Sequence, residues 1–152
     1  MSDPLSTMIA HMRWADARVA DALERTGVDE AVRLFAHVAS VEHLWLCRIE
    51  GRTPAHAVWP SLSVAEARHL ASEHADLFAR LVATADDRAL QRPVAYRNSQ
   101  GIDFTSTVGD IVTHTALHGV HHRGQILRIL RAAGHEPPYI DYIQFTRLDQ
   151  LA

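Results

Sequence analysis

Residues 107–134, TVGDIVTHTALHGVHHRGQILRILRAAG, constrain this chain more than any other stretch. They read as one long helix. Thr107 is a good N-cap, and Asp110 three residues on supplies the acidic half of a near capping box. Gly134 marks the stop, with Arg128 and Arg131 near the negative end of the helix dipole. Four of the eleven histidines fall here: His114, His118, His121 and His122. Two imidazoles at i and i+4 lie one turn apart on a helix and can converge on one metal ion. A fold that uses such a pair must bring another helix opposite it.

The rest of the chain supplies three more helices. Leu5, Met8, Ile9, Met12, Val19 and Leu23 recur at helical spacing over residues 4–26, and Gly27 ends that run. Asp29 is the expected cap of a second helix over residues 30–50, with Leu34, Val38, Val41, Leu44, Trp45 and Ile49 as its apolar set. Gly51 stops it, and RTPAHAVWPS reads as a loop. Ser63-Val64-Ala65-Glu66 is a capping-box signature for a third helix to about residue 85, striped by Ala67, Leu70, His74, Leu77, Phe78 and Leu81. Residues 93–96 and 102–105 flank Asn98-Ser99-Gln100-Gly101, which predicts a short hairpin or an extended crossover. After Pro137-Pro138 the tail carries Tyr139, Ile140, Tyr142, Ile143 and Phe145, enough apolar surface to dock on the body. An all-α chain with four long helices, the last pair joined by a longer crossover, fits a four-helix bundle, and such bundles build metal sites from facing helices.

At 152 residues the chain is expected to form one domain with a real core. A net charge of −3 with scattered arginines gives no electrostatic reason to expect nucleic acid. The lone cysteine, Cys47, rules out an internal disulfide and a Cys-based zinc site, and reads as a small apolar filler. No leader-like opening and no apolar run of membrane length is visible, so no membrane association and a cytoplasmic location are the expectations.

On the last helix, with His118 as zero, Val108, Ile111, Ile126, Ile129 and Ala133 cluster at roughly +20° to +80°. His122 falls at about +40° and His118 at the edge, while His114 and His121 lie near −40° and −60°. The pair His118–His122 is favoured, with His114–His118 as the competing pair. On the second helix His37 shares the apolar face of Leu34, Val38, Val41 and Trp45. His43, about 120° away, is expected in solvent or at an interface, and His74 on the third helix stays an outside candidate. Trp14 and Trp45 are expected in the core or a pocket wall. Arg123 and Gln125 either orient the ligands beside His122 or make, respectively, a surface ion pair and local backbone bonds. Glu42, about 140° from His37, points elsewhere, so no carboxylate is placed beside the metal as a general base.

These motifs resemble the DinB family, also called DinB/YfiT-like. His114-Thr-Ala-Leu-His118-Gly-Val-His121-His122-Arg123-Gly124-Gln125 is similar to that family's H-x-x-x-H-x-x-x-H-R-G-Q helix. His37, eight residues before Trp45, resembles its second-helix signature. Arg13-Trp14-Ala15-Asp16 resembles its W-A-N segment, with Asp in place of Asn, and Gly134 to Pro138 followed by Asp141 resembles its ending. The resemblance implies an up-down-down-up bundle and a divalent metal held by His37, His118 and His122, and argues against His43 and His114 as ligands. It also implies a homodimer, for which Leu117, Val120 and Leu127 offer apolar surface away from the histidines, facing a partner or the third helix.

Some relatives act as transferases or isomerases using a low-molecular-weight thiol. A three-histidine site leaves coordination positions open, the catalytic pattern. It suits zinc or nickel, with iron or copper as alternatives. The expected function is therefore a metal-dependent thiol S-transferase or isomerase acting on a small thiol and an electrophile. The alternatives are a metal-dependent hydrolase and a non-catalytic metal- or stress-responsive binding protein.

Overall fold

The computed structural model describes residues 3–150. It is mostly helical, with one small sheet. Helix α1 spans Pro4–Thr26, α2 Asp29–Glu50, α3 Val64–Thr84 and the single turn α4 Asp87–Leu90. Strands β1 (Pro93–Arg97) and β2 (Asp103–Thr107) precede α5 (Val108–Ala132), and the short α6 (Tyr142–Phe145) and a 3-10 turn (Leu148–Gln150) follow it.

The ends of the long helices follow local chemistry. Asp3 accepts from the Ser6 amide at 3.0 Å and Pro4 opens α1, where a missing N–H costs nothing. Gly27 at φ 61° closes α1 in the left-handed conformation that other residues avoid. The α3 capping box is complete: Ser63 N–H donates to Glu66 and Glu66 N–H to the Ser63 hydroxyl. Thr107 accepts from the Asp110 amide at 3.1 Å, which is only the hydroxyl half of a box. Asp29 does not cap α2. Val28 holds the N-cap position without a side-chain bond, and Asp29 lies inside the first turn, where its charge faces the positive helix end. The segment before α5 is a true hairpin: β1 and β2 pair antiparallel, with Tyr96 opposite Phe104. Asn98 Oδ1 accepts from the Gln100 and Ile102 amides to close its turn.

Helix α1 packs on α3 and α5, and α2 packs on the same two, while α1 and α2 barely touch. Apolar residues form two clusters. One joins Ala15–Leu23 of α1, Ala31–Ala39 of α2, Ala67–Ala71 of α3 and Ile126 and Leu130 of α5. The other joins Ile9 and Met12, Leu46 and Ile49, Ala75 and Phe78, and Val108–Ala116. Between them in sequence lie the buried polar groups Glu42 and His43 on α2, His74 on α3 and Arg123 on α5, while Asp16 follows Ala15 at the edge of the first cluster on α1. No helix of the described residues is long and apolar enough to cross a membrane.

The expected apolar surface on α5 is partly in place. Leu117 and Val120 are exposed, while Leu127 is half-buried against the first cluster. Pro4, Met8 and His11 of α1 and Tyr142 of α6, rather than α3, line the hollow of about 330 Å³ beside Leu117 and Val120.

Candidate metal centre

Helix α5 carries His118 and His122 one turn apart, and α2 brings His37 against them. Each ring offers one nitrogen, and the three nitrogens lie within 4.8 Å of one another. The ring centroids stand 4.3 Å apart for His118–His122, 4.9 Å for His37–His122 and 5.2 Å for His37–His118. The cluster sits at the rim of the α5 buried face, whose centre is taken by Val112, Gly119, Arg123 and Ile126. His37 is buried, and the other two are half-buried.

Hydrogen bonds set the ring tautomers. His37 Nδ1 lies 2.8 Å from the Val58 carbonyl oxygen, which can only accept, so Nδ1 carries the proton and Nε2 keeps its lone pair. His122 Nδ1 donates to Gln125 Oε1 at 2.7 Å, with the same consequence. Orientation of this kind by carbonyl or amide oxygens is what metal-binding imidazoles use. Burial lowers the pKa of His118 to about 3, helped by its neighbours His122 and His37. His37 is lowered by burial and by His122, against the Val58 bond, which raises it. Rings of this kind stay neutral at physiological pH, the form that binds a metal. The donor set therefore fits a divalent transition ion.

The α2–α3 connection, residues 51–63, covers the outer side of the site. Trp59 stacks on His37 with centroids 3.8 Å apart and planes within 9°. Its indole is still 62% exposed, so the cover is a single aromatic layer. Further along α5, His114 lies against Trp45 and lines a hollow of about 260 Å³ with Tyr96, Ser106, Asp110 and Ile111. Trp45 is thus a pocket wall, as expected. His114 and His121 approach His118 and His122 but stand outside the three-nitrogen group.

His43 contradicts its sequence reading. It is buried, not solvated: Nδ1 meets His74 Nε2 at 2.9 Å, and Nε2 accepts from the Ala55 amide at 2.9 Å. The helical wheel placed it off the α5-facing side correctly, but α3 and residues 51–63 cover that other side. Cys47 is fully buried beside it, and burial pushes its thiol pKa up, away from a nucleophile.

Arg123 does not form a surface ion pair. Its side chain is buried, and Nη1 donates to Asp16 Oδ1 at 2.7 Å. Gly119, one turn earlier, makes room for it: a Cβ there would stand 2.6 Å from Arg123 Nη1. Glu42 shares this interior, and burial together with the nearby Asp16 raises its pKa well above the ordinary carboxylate range. Its acid form donates to Asp16, which closes an Asp16–Glu42–Arg123 cluster with no net charge. The sequence analysis missed the cluster. A signal was present: Asp16 follows Met12 and precedes Val19 on the apolar stripe of α1, and Arg123 falls between Gly119 and Ile126 on that of α5.

The chain matches known proteins over almost its whole length. The profile of the DinB family fits residues 1–150. Protein DinB of Bacillus subtilis (strain 168) is 25% identical over 161 aligned positions, covering 93% of this chain and 93% of that protein. The chain belongs to the DinB family.

Proposed function

We propose that this DinB-family chain binds one divalent metal through His37, His118 and His122 and serves as a metal-dependent thiol S-transferase or isomerase in the cytoplasm. The observation that carries the reading is the convergence of three imidazole nitrogens from α2 and α5 within 4.8 Å. Zinc or nickel suits three neutral imidazoles, with iron or copper as alternatives. When bound, the ion would supply a Lewis acid that makes a thiol acidic enough to act as thiolate near neutral pH.

The protein's own groups do the rest. The Val58 carbonyl and Gln125 hold two rings with Nε2 turned to the site. Trp59 shields His37 from water on one side. The thiol proton passes to solvent water, the sulfur bonds the electrophilic carbon, and the leaving group departs with the bonding pair and takes up a proton from solvent. The hollow bounded by Trp45, Tyr96, Ser106 and His114 is the place for the electrophile. Glu42, the carboxylic acid nearest in sequence to His37 on α2, is turned into the Asp16–Arg123 cluster and has no role as a base here. A thiol made acidic by a metal on the three histidines calls for no carboxylate base.

The same reading gives the fold one bundle domain of up-down-down-up order. The C-terminal halves of α1 and α5 share an apolar cluster with the N-terminal halves of α2 and α3, which supports it. A homodimer through exposed Leu117, Val120 and Tyr142 belongs to the same proposal.

The test loads the protein with Co²⁺ and titrates a small thiol such as 2-mercaptoethanol. A saturable sulfur-to-cobalt absorption band supports the reading. Turnover of simple esters without thiol, and no such band, would replace it with a hydrolase. Metal uptake with neither would leave a binding protein.

A further inference from the structure

Residues 51–63 are laced to α2 at three points spaced like helix turns. His37 Nδ1 donates to the Val58 carbonyl, the Ser40 hydroxyl to the Ala57 carbonyl at 2.5 Å, and the Ala55 amide to His43 Nε2 at 2.9 Å. Anchors 37, 40 and 43 climb α2 while their partners 58, 57 and 55 run back. Leu62, at the α3 end, packs half-buried on the first apolar cluster, but Thr53, Pro54, Ala55, Ala57, Val58 and Trp59 are all exposed. Over residues 53–59 the polar ties and the Trp59 stack on His37 therefore decide where the connection sits.

The last tie extends into the core. His74 Nδ1 lies 2.8 Å from the Leu70 carbonyl oxygen, so Nδ1 must donate and Nε2 must accept. His43 Nδ1 then donates to His74 Nε2, and His43 Nε2 is left as the acceptor that Ala55 fills. Each of the four ring nitrogens has one nitrogen or oxygen partner, with the Cys47 sulfur a longer contact of both His43 nitrogens at 3.8 and 3.6 Å, and only two neutral rings allow it. A proton on either ring sets two donors against each other, at the His43–His74 contact or at Ala55.

We propose that the His43–His74 pair is a positioning element for the three-histidine centre: it holds residues 51–63 in the register that lays Trp59 and the Val58 carbonyl on His37. The proposal rests on the metal-site reading for its consequence and on hydrogen bonds alone for its geometry. The groups that face the pair are Cys47 and Glu50 on α2, Arg52 and His56 on the connection, and Glu73 on α3. Arg52 is engaged by Glu50 at 2.5 Å. Burial lowers both His43 and His74 below the ordinary histidine value, in keeping with two neutral rings.

Hydrogen–deuterium exchange on the full chain, corrected for intrinsic rates, tests this. In His43→Leu the Ala55 amide, which donates to His43 in the wild type, should exchange about tenfold faster, the effect of losing one hydrogen bond. Exchange in α1 and α5 should stay as in the wild type. His74→Gln, whose amide oxygen can still accept from His43, should keep the connection protected at pH 7.5. Zn²⁺ affinity, measured against a chromogenic chelator, should fall about tenfold in His43→Leu although all three ligands remain. Unchanged exchange at Ala55 overturns the proposal, and so does release of the connection with unchanged Zn²⁺ affinity. Should His43→Leu not fold, the wild type decides: selective loosening of the Ala55 amide between pH 7.5 and about 5.5 supports the pair's role, and uniform behaviour refutes it. Failure of wild-type protein to bind Zn²⁺ would instead defeat the metal-site reading, a separate result from the exchange pattern.

Discussion

Arg123→Met removes the only cation from the buried Asp16–Glu42–Arg123 cluster. The exposures of the Arg123 and Asp16 side chains are 1% and 4%, so water neither screens their attraction nor resolvates a stranded charge. Breaking such a pair by deleting one partner costs about 3–5 kcal/mol. Glu42 gives no relief, since its acid form is already the favoured one beside Asp16. For a chain of this size each kcal/mol lowers the melting temperature by about 2–4 °C, so the variant should melt about 6–20 °C lower. Urea unfolding followed by circular dichroism at pH 7.5 measures the loss directly. Asp16→Leu combined with Arg123→Met removes both charges and should return to within about 2 kcal/mol of the wild type. A single variant within about 1 kcal/mol of wild type would refute the buried pair. A double variant no better than the single would show that packing, not stranded charge, causes the loss.

Three further outcomes are expected. His37→Ala, His118→Ala and His122→Ala should each weaken Zn²⁺ binding by about a hundredfold or more, while His114→Ala and His121→Ala leave it nearly unchanged; calorimetric titration checks this, and equal losses in all five would mean a misassigned site. Gly119→Ala should destabilise by about 1–3 kcal/mol, because its Cβ would meet the Arg123 guanidinium, whereas Gly124→Ala, which meets nothing, should stabilise by about 0.5–1 kcal/mol; urea midpoints separate the two. His11, His37, His43, His74, His114 and His118 all have native pKa values below 6.5, chiefly through burial. The unfolded chain therefore binds more protons below that value, and metal-free stability should be level above about pH 7 and fall as pH drops through 6.5. Glu42, raised above 4.5, opposes this with a single group, so a higher urea midpoint at pH 5.5 than at 7.5 would contradict the account.

Periodicity and punctuation made the four long helices readable. Gly27 and Gly51 stop α1 and α2, Ser63 and Glu66 open α3, and Thr107 opens α5. The Asn98–Gly101 turn pointed to a hairpin or an extended crossover, and the paired strands are the hairpin. The candidate ligands were readable because i, i+4 spacing on α5 and the apolar face around His37 converge on one interhelical edge. The rest depended on what packs around each helix. One wheel cannot tell that α2 is covered on two sides, so His43 was expected in solvent or at an interface. Asp16 and Arg123 lie 107 residues apart on helices whose packing no local pattern reveals, so their buried pairing was not legible. The cover over His37 comes from a connection whose ties are single hydrogen bonds, and no local pattern in residues 51–63 announces them.

The central claim is that His37, His118 and His122 hold one metal ion. Elemental analysis of protein purified without a histidine tag and reconstituted with Zn²⁺, wild type beside His122→Ala, tests it most directly. The wild type should carry about one metal per chain and the variant little, in keeping with ligand loss at a three-histidine site. The absence of metal from both, or equal metal in both, would contradict it.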